Sequence, residues 1–149
     1  METKVPKQAT SDSDITRCFD VMHELRTELT RDTFLDTVRA MQRDGYKLAF
    51  IEENIHDRPT IVAVAGYRIY TNLYMGKHLY VDDLVTAEKW RSNGYGERLI
   101  NWLREQALNA ECNYFHLDSG THRNQAHKFY FSQGFNIASY HFSERLNGQ

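Results

Sequence analysis

Three apolar runs joined by short polar turns restrict the fold of this chain more than any other feature. Lys47 to Glu52 carries Leu48, Ala49, Phe50 and Ile51. The polar stretch from Glu53 to Pro59 separates it from a run over Thr60 to Tyr70. Asn72 to Lys77 separates that run from His78 to Thr86. Strands with connections this short pair as antiparallel neighbours, so an antiparallel meander is expected. Ahead of it the apolar period is helical. Ser11, with Asp14 three residues on, resembles a capping box. Ile15, Cys18, Phe19, Met22, Leu25 and Leu29 then predict a helix to about Leu29. A second helix is expected from near Asp32, with Phe34, Val38 and Met41 as its stripe and Gly45 as its stop. A short extended segment, Val5 to Ala9, precedes both.

Beyond the meander, Leu99, Ile100, Leu103, Ala107 and Leu108 mark a third helix. Tyr114 to Asp118 reads as a short strand and Gln125 to Gln133 as a fourth helix closed by Gly134. Two more strands are expected around Ile137 and over Tyr140 to Phe142. The order is β-α-α-β-β-β-α-β-α-β-β, a mixed α/β fold with helices on both faces of one mostly antiparallel sheet. With 149 residues, two prolines and no linker or repeat, one domain over 1–149 is expected.

A formal net charge of -2 argues against a nucleic-acid or membrane-surface partner. No apolar run approaches the roughly 20 residues that span a bilayer. Met1 to Ser13 is polar and lacks the apolar stretch of a signal peptide. Cys18 and Cys112 make no disulfide framework. A reduced, cytoplasmic setting is the simplest expectation.

The segment Asp82-Asp83-Leu84-Val85-Thr86 leads, through Ala87 to Trp90, into Arg91-Ser92-Asn93-Gly94-Tyr95-Gly96 and then a helix. Gly94 and Gly96 remove side chains where the backbone must curl. N–H groups at a helix start lack intrahelical partners, and with the helix dipole they favour an anion. Arg91 adds a charged donor. No Gly-Lys-Ser/Thr is present after it, so this is not a Walker A loop, and the three-glycine dinucleotide fingerprint is absent. On spacing alone, a structural turn before a capped helix and an anion site are both open.

Arg-x-x-Gly-x-Gly after an apolar strand resembles the coenzyme A motif of the GNAT N-acetyltransferase superfamily. Asn124-Gln125-Ala126-His127-Lys128-Phe129-Tyr130-Phe131-Ser132-Gln133-Gly134-Phe135 resembles its second signature, Ala-x-x-hydrophobic-Tyr-x-x-x-Gly-Phe. The resemblance covers nearly the whole chain. The Ala-His-Lys-Phe-Tyr run and the Ser-Tyr-His-Phe tail are similar to small bacterial members, including aminoalkylphosphonate acetyltransferases. The chain departs from the pattern at two places. Arg123 holds the place where many members carry Asn, with Asn124 next, and the strand before the turn has Asp82-Asp83 where Glu is common.

The resemblance implies a GNAT-like fold and an acetyl-CoA-dependent transferase that needs no metal. Leu84, Val85 and Thr86 would then offer backbone groups to the pantetheine arm and the acetyl carbonyl. Arg91, Ser92, Asn93, Gly94, Tyr95 and Gly96 would hold the pyrophosphate, Asn124 would touch the cosubstrate, and Tyr130 would sit near the sulfur. Dimers are common in the superfamily, so a homodimer is one state open to the chain.

Acetyl transfer needs a deprotonated amine, a stabilised oxyanion and a protonated leaving thiolate. An alkyl amine of pKa about 10.4 is neutral in only about one molecule in 10³ at pH 7, so a carboxylate helps. Asp82 and Asp83 are the candidates, and strand alternation sends one to each face. Asp83 is favoured because superfamily members carry an acidic residue before the corresponding Leu. Pairing with a nearby Arg or Lys is the alternative for either. Tyr130 is the proposed acid, since a phenol is protonated at rest; its alternative is a half-buried helix aromatic. The oxyanion is expected to meet the backbone N–H of Val85. Asp118 is either an acceptor-binding residue or an ordinary turn residue before Gly120. Arg26, in the charged run His23-Glu24-Leu25-Arg26 of the first helices, belongs to the region that shapes the acceptor pocket in the superfamily; a solvated helix face is the alternative.

Two other readings are open on the sequence. The same fold could be a non-catalytic acyl-CoA-binding or sensing module. His116, Asp118, His122 and His127 could hold a metal, although no helical His-x-x-x-His or Cys pair supports it. The acceptor, a small-molecule amine or a peptide amine, is not encoded in any motif.

Overall fold

The computed structural model describes residues 4–148. The chain divides into two compact units, Met1–Leu117 and Asp118–Gln149. In the first, the elements run β1 (Lys7–Gln8), α1 (Asp12–Arg17), α2 (Phe19–Leu25), α3 (Arg31–Arg43), β2 (Tyr46–Ile55), β3 (Arg58–Asn72), β4 (Gly76–Thr86), a 3₁₀ turn (Glu88–Trp90), α4 (Tyr95–Asn109) and β5 (Tyr114–Leu117). The second unit contains α5 (Asn124–Ser132).

The mixed α/β class and the order of elements match the sequence reading through α5, with two differences. The predicted first helix is two short ones. Ser11 caps it as expected, accepting the Asp14 N–H at 3.0 Å. At Cys18 the N–H reaches back only to Ile15, a tighter turn than the α-helical one. The apolar stripe survives that break: Ile15, Cys18, Phe19 and Met22 are all buried. The second difference is at the end of the chain. Residues 135–148 form no strand, and Ile137, Tyr140 and Phe142 are exposed. Apolar alternation there is not matched by a hydrogen-bonded ladder, and a strand requires one.

The sheet order is β1-β2-β3-β4-β5, antiparallel except for the parallel β4–β5 pair. The parallel pair needs a crossover, and α4 supplies it. His56 and Asp57, at φ 49° and 63°, form the two-residue turn between β2 and β3. Positive φ at both positions matches the right-handed strand twist.

Side-chain alternation builds a core on each face of the sheet. Tyr46, Leu48 and Phe50 of β2 pack with Val64 and Val85 under α1, α2 and α3. Ala49 and Ile51 pack with Ala65, Tyr67, Leu79 and Val81 under Leu99, Leu103 and Ala107 of α4. Tyr67 meets Trp102 edge-on at 5.9 Å. Met41, expected in the stripe of α3, is exposed; Phe34 and Val38 carry that contact.

One buried polar residue interrupts the sheet. His78 is fully buried, its Nδ1 lies 2.8 Å from Nε2 of His116, and its own Nε2 has no partner. Burial lowers its pKa below 6.5. The folded protein therefore holds the imidazole neutral, while the unfolded chain protonates it below about pH 6.5. The stability this group contributes is complete above that pH and is lost as pH falls below it. Denaturant midpoints should fall as pH drops from about 7.5 to about 5.5, and the fall should be shallower in His78→Gln.

Candidate active site

β5 pairs with β4 only from His78 to Val81, while β4 continues to Thr86. The side of β4 that faces β5 is therefore without a strand partner from Asp82 to Thr86. One bond decides which backbone groups point there. The Ala87 N–H donates to Val62 O at 2.8 Å, so Ala87 faces β3. Antiparallel alternation sends Val85 to β3 as well, and turns the N–H and C=O of Leu84 and Thr86 to the open side. On this register the Val85 N–H faces β3, and its side chain is buried in the core beneath α1 to α3.

A β-bulge sets the direction of those carboxylates. Gly66 pairs with Asp83 and Tyr67 with Val81, so Asp82 is an extra residue in β4. Strict alternation would separate Asp82 and Asp83; the bulge does not. Asp83 Oδ2 accepts from the Tyr46 hydroxyl at 2.8 Å. Asp82 accepts from Arg68 through Nε at 2.9 Å and Nη2 at 2.7 Å. Tyr46 and Arg68 are direct cross-strand partners and share a face. Both carboxylates therefore lie on the face covered by α1 to α3.

Arg26, at the end of α2, donates through Nε to Asp83 Oδ1 and through Nη2 to Asp82 O, each at 2.8 Å. Nearby in the last turn of α2, Glu24 Oε1 accepts the Glu88 N–H at 2.8 Å. The end of α2 thus holds the chain on both sides of Leu84–Thr86, at Asp82–Asp83 in β4 and at Glu88 in the 3₁₀ turn. The site balances two carboxylates with two guanidinium groups, and the hydrogen bond to Asp82 raises the pKa of Arg68 further. Arg26 was legible as a charged residue of the first helices. Tyr46 and Arg68 were not, because a strand Tyr reads as core and a strand Arg as a solvated side chain.

The glycine turn forms as expected. Gly94 is the left-handed N-cap of α4 at φ 82°, and no atom lies within 4 Å of where a Cβ would stand. Ser92 is also left-handed at φ 68°. The Asn93 amide donates to Trp90 O at 2.8 Å and to Arg91 O at 3.1 Å, so its side chain shapes the loop. Tyr95 is buried against the α4-side core. The Arg98 N–H is the first to reach back, to Gly94 O, which leaves those of Tyr95, Gly96 and Glu97 without intrahelical acceptors. Arg91 is exposed beside them. These groups suit a pyrophosphate.

In the second unit, Tyr130 stands on α5 with ring contacts to Phe129 at 5.5 Å and Phe135 at 6.0 Å. Burial raises its pKa above 10, and Arg123, through charge and a hydrogen bond, works against the rise. Asn124 is the exposed first residue of α5. Asp118 lies 3.8 Å from His141 Nδ1. His127 Nε2 lies 2.7 Å from Gly120 O. Among the described residues no three His, Cys, Asp or Glu side chains converge as metal ligands.

The sequence profile of the acetyltransferase (GNAT) family matches residues 14–135. The chain belongs to this family. It is 37% identical over 138 residues to YhdJ, an uncharacterised N-acetyltransferase of Bacillus subtilis, across 91% of this chain and 94% of that one. It is 27% identical over 145 residues to the aminoalkylphosphonate N-acetyltransferase of Salmonella typhimurium, across 83% and 91%. Its fold superposes on the aminoglycoside acetyltransferase AAC(6')-Iy, solved with a CoA bisubstrate analogue, at a TM-score of 0.79 and 15% identity, covering 99% and 100% of the two chains. GNAT-fold enzymes use acetyl-CoA, and in this GNAT chain the open side of β4 and the loop before α4 offer groups that suit it.

A hydrogen bond to a charged group is worth about 1.5–3 kcal/mol, so Arg91→Ala should weaken coenzyme A binding at least about tenfold by calorimetry. Gly94→Ala forces a left-handed alanine, at a cost of about 1–2 kcal/mol, and should weaken binding and lower thermal stability together.

Proposed function

We propose that this protein is an acetyl-CoA-dependent N-acetyltransferase that acetylates a small primary amine by direct attack within a ternary complex, as one domain over 1–149. The family match at 14–135 runs from one compact unit into the other, which supports the single domain. The observation that carries the reading is the stretch Leu84–Thr86, left without a strand on its β5 side, with Asp82 and Asp83 immediately before it and the glycine turn shortly after.

Acetyl-CoA, when bound, supplies a thioester carbonyl and a thiolate leaving group. Arg91 and the N–H groups at the start of α4 hold its pyrophosphate. The backbone of Leu84 and Thr86 binds the pantetheine arm, and the Leu84 N–H meets the oxygen as it becomes negative. A main-chain donor fixed in a sheet needs no reorganisation to do this. Asp83 takes the proton of the amine, directly or through water. Tyr130 returns a proton to the departing thiolate, and its raised pKa keeps it protonated at working pH.

The acceptor side carries two carboxylates and two guanidinium groups, each with hydrogen-bonding capacity left over. We assign it to an amine that also bears an acidic group. The aminoalkylphosphonate N-acetyltransferase among the relatives supports that class. A cytoplasmic setting remains part of this reading, resting on the two free cysteines; no described helix is long and apolar enough to cross a membrane.

The test is thiol release from acetyl-CoA with a panel of amines, with and without acidic groups. Asp83→Asn and Tyr130→Phe should each lower kcat by about 10²-fold or more, the usual scale of acid–base catalysis. The alkaline limb belonging to Tyr130 should lie above pH 10. Coenzyme A binding without turnover on any amine would instead mark a binding module.

A further inference from the structure

Asp83 is not held by charge alone. Its partner Arg26 is half exposed, whereas Tyr46 is only 4% exposed and belongs to the buried cluster beneath α1 to α3. The Tyr46 hydroxyl sits directly above Gly66, on the neighbouring strand. A Cβ at Gly66 would stand 1.8 Å from the Tyr46 oxygen, 2.4 Å from its Cζ and 2.6 Å from Asp83 Oδ2. No side chain fits there. Gly66 also pairs with Asp83 across the β3–β4 ladder at the bulge, so the missing side chain, the hydroxyl and the carboxylate meet at one point.

We infer that Tyr46 is a positioning residue for Asp83, its hydroxyl seated over Gly66 and fixing the carboxylate in the orientation in which it receives the acceptor's proton. The inference rests on Asp83 being the base of the proposed reaction. A buried Tyr has two torsions, both set by packing, so it holds its partner more tightly than a half-exposed Arg. One hydroxyl donates one proton, so each Asp83 oxygen keeps a lone pair for the amine or an intervening water. Burial first, and the charge of Asp83 second, push the Tyr46 pKa well above 10. Tyr46 therefore stays a donor at every working pH and never competes for the proton.

Tyr46→Phe removes the oxygen and keeps the ring. We expect kcat to fall about tenfold or more, the scale of one hydrogen bond to a charged group. KM for acetyl-CoA should stay within about twofold, since Tyr46 touches none of the groups assigned to it, so that the loss falls on kcat alone. A lower melting temperature with unchanged kcat would mean a structural role only and would overturn the inference. Asp83→Asn separates the two layers. If it leaves turnover intact, the base assignment fails and the positioning role falls with it. If it abolishes turnover while Tyr46→Phe is silent, only the positioning role fails. Should Tyr46→Phe not fold, the Tyr46 hydroxyl proton of the wild-type protein can be followed by NMR. A slowly exchanging resonance that shifts when the amine binds supports the inference, and its absence or indifference to the amine rejects it.

Discussion

One extra residue in β4 governs the site. Without the bulge at Asp82, alternation would carry one carboxylate to the α4 core and the other to the opposite face. A carboxylate among Leu79, Val81 and Leu99 would be a buried, unpaired charge, a costly arrangement. The bulge instead puts both on the face where Tyr46, Arg68 and Arg26 can reach them. It also resets the phase of the rest of the strand, so that Val85 enters the core and Leu84 and Thr86 turn their backbone outward. Charge, packing and open backbone thus share one local cause.

Much of the fold was legible because each element carries its own period. The meander, its short turns and the helix after the glycine turn are local patterns, and local patterns survive in a single sequence. The break at Cys18 was not legible, because a tight turn in a helix can keep the same apolar stripe. Strands after Phe135 were expected from alternation, but alternation states only that two faces differ; it does not supply a neighbouring strand.

The site was legible in part. The turn at Arg91 to Gly96 could be read because glycine marks where backbone must bend, as Gly94 does at the start of α4. The roles of Leu84 and Val85 could not be separated, since a bulge two residues earlier fixes which of them faces outward. Tyr46 is thirty-seven positions from Asp83 in the chain and close to it only in the sheet. Its hydroxyl is the one polar side-chain atom that β2 sends to this point, and sequence spacing contains nothing to pair it with Gly66.

The two bonds from the end of α2 have a consequence of a different kind. Arg26 grips the chain just before Leu84 and Glu24 grips it just after Thr86. The helix and the groove edge are thereby one mechanical body. Any ligand that displaces α2 changes the free energy of whatever lies along Leu84–Thr86, and linkage makes the effect reciprocal: the second ligand alters the affinity of the first by the same factor. Coupling between two bound molecules would then need only these two hydrogen bonds, and no contact between the molecules themselves.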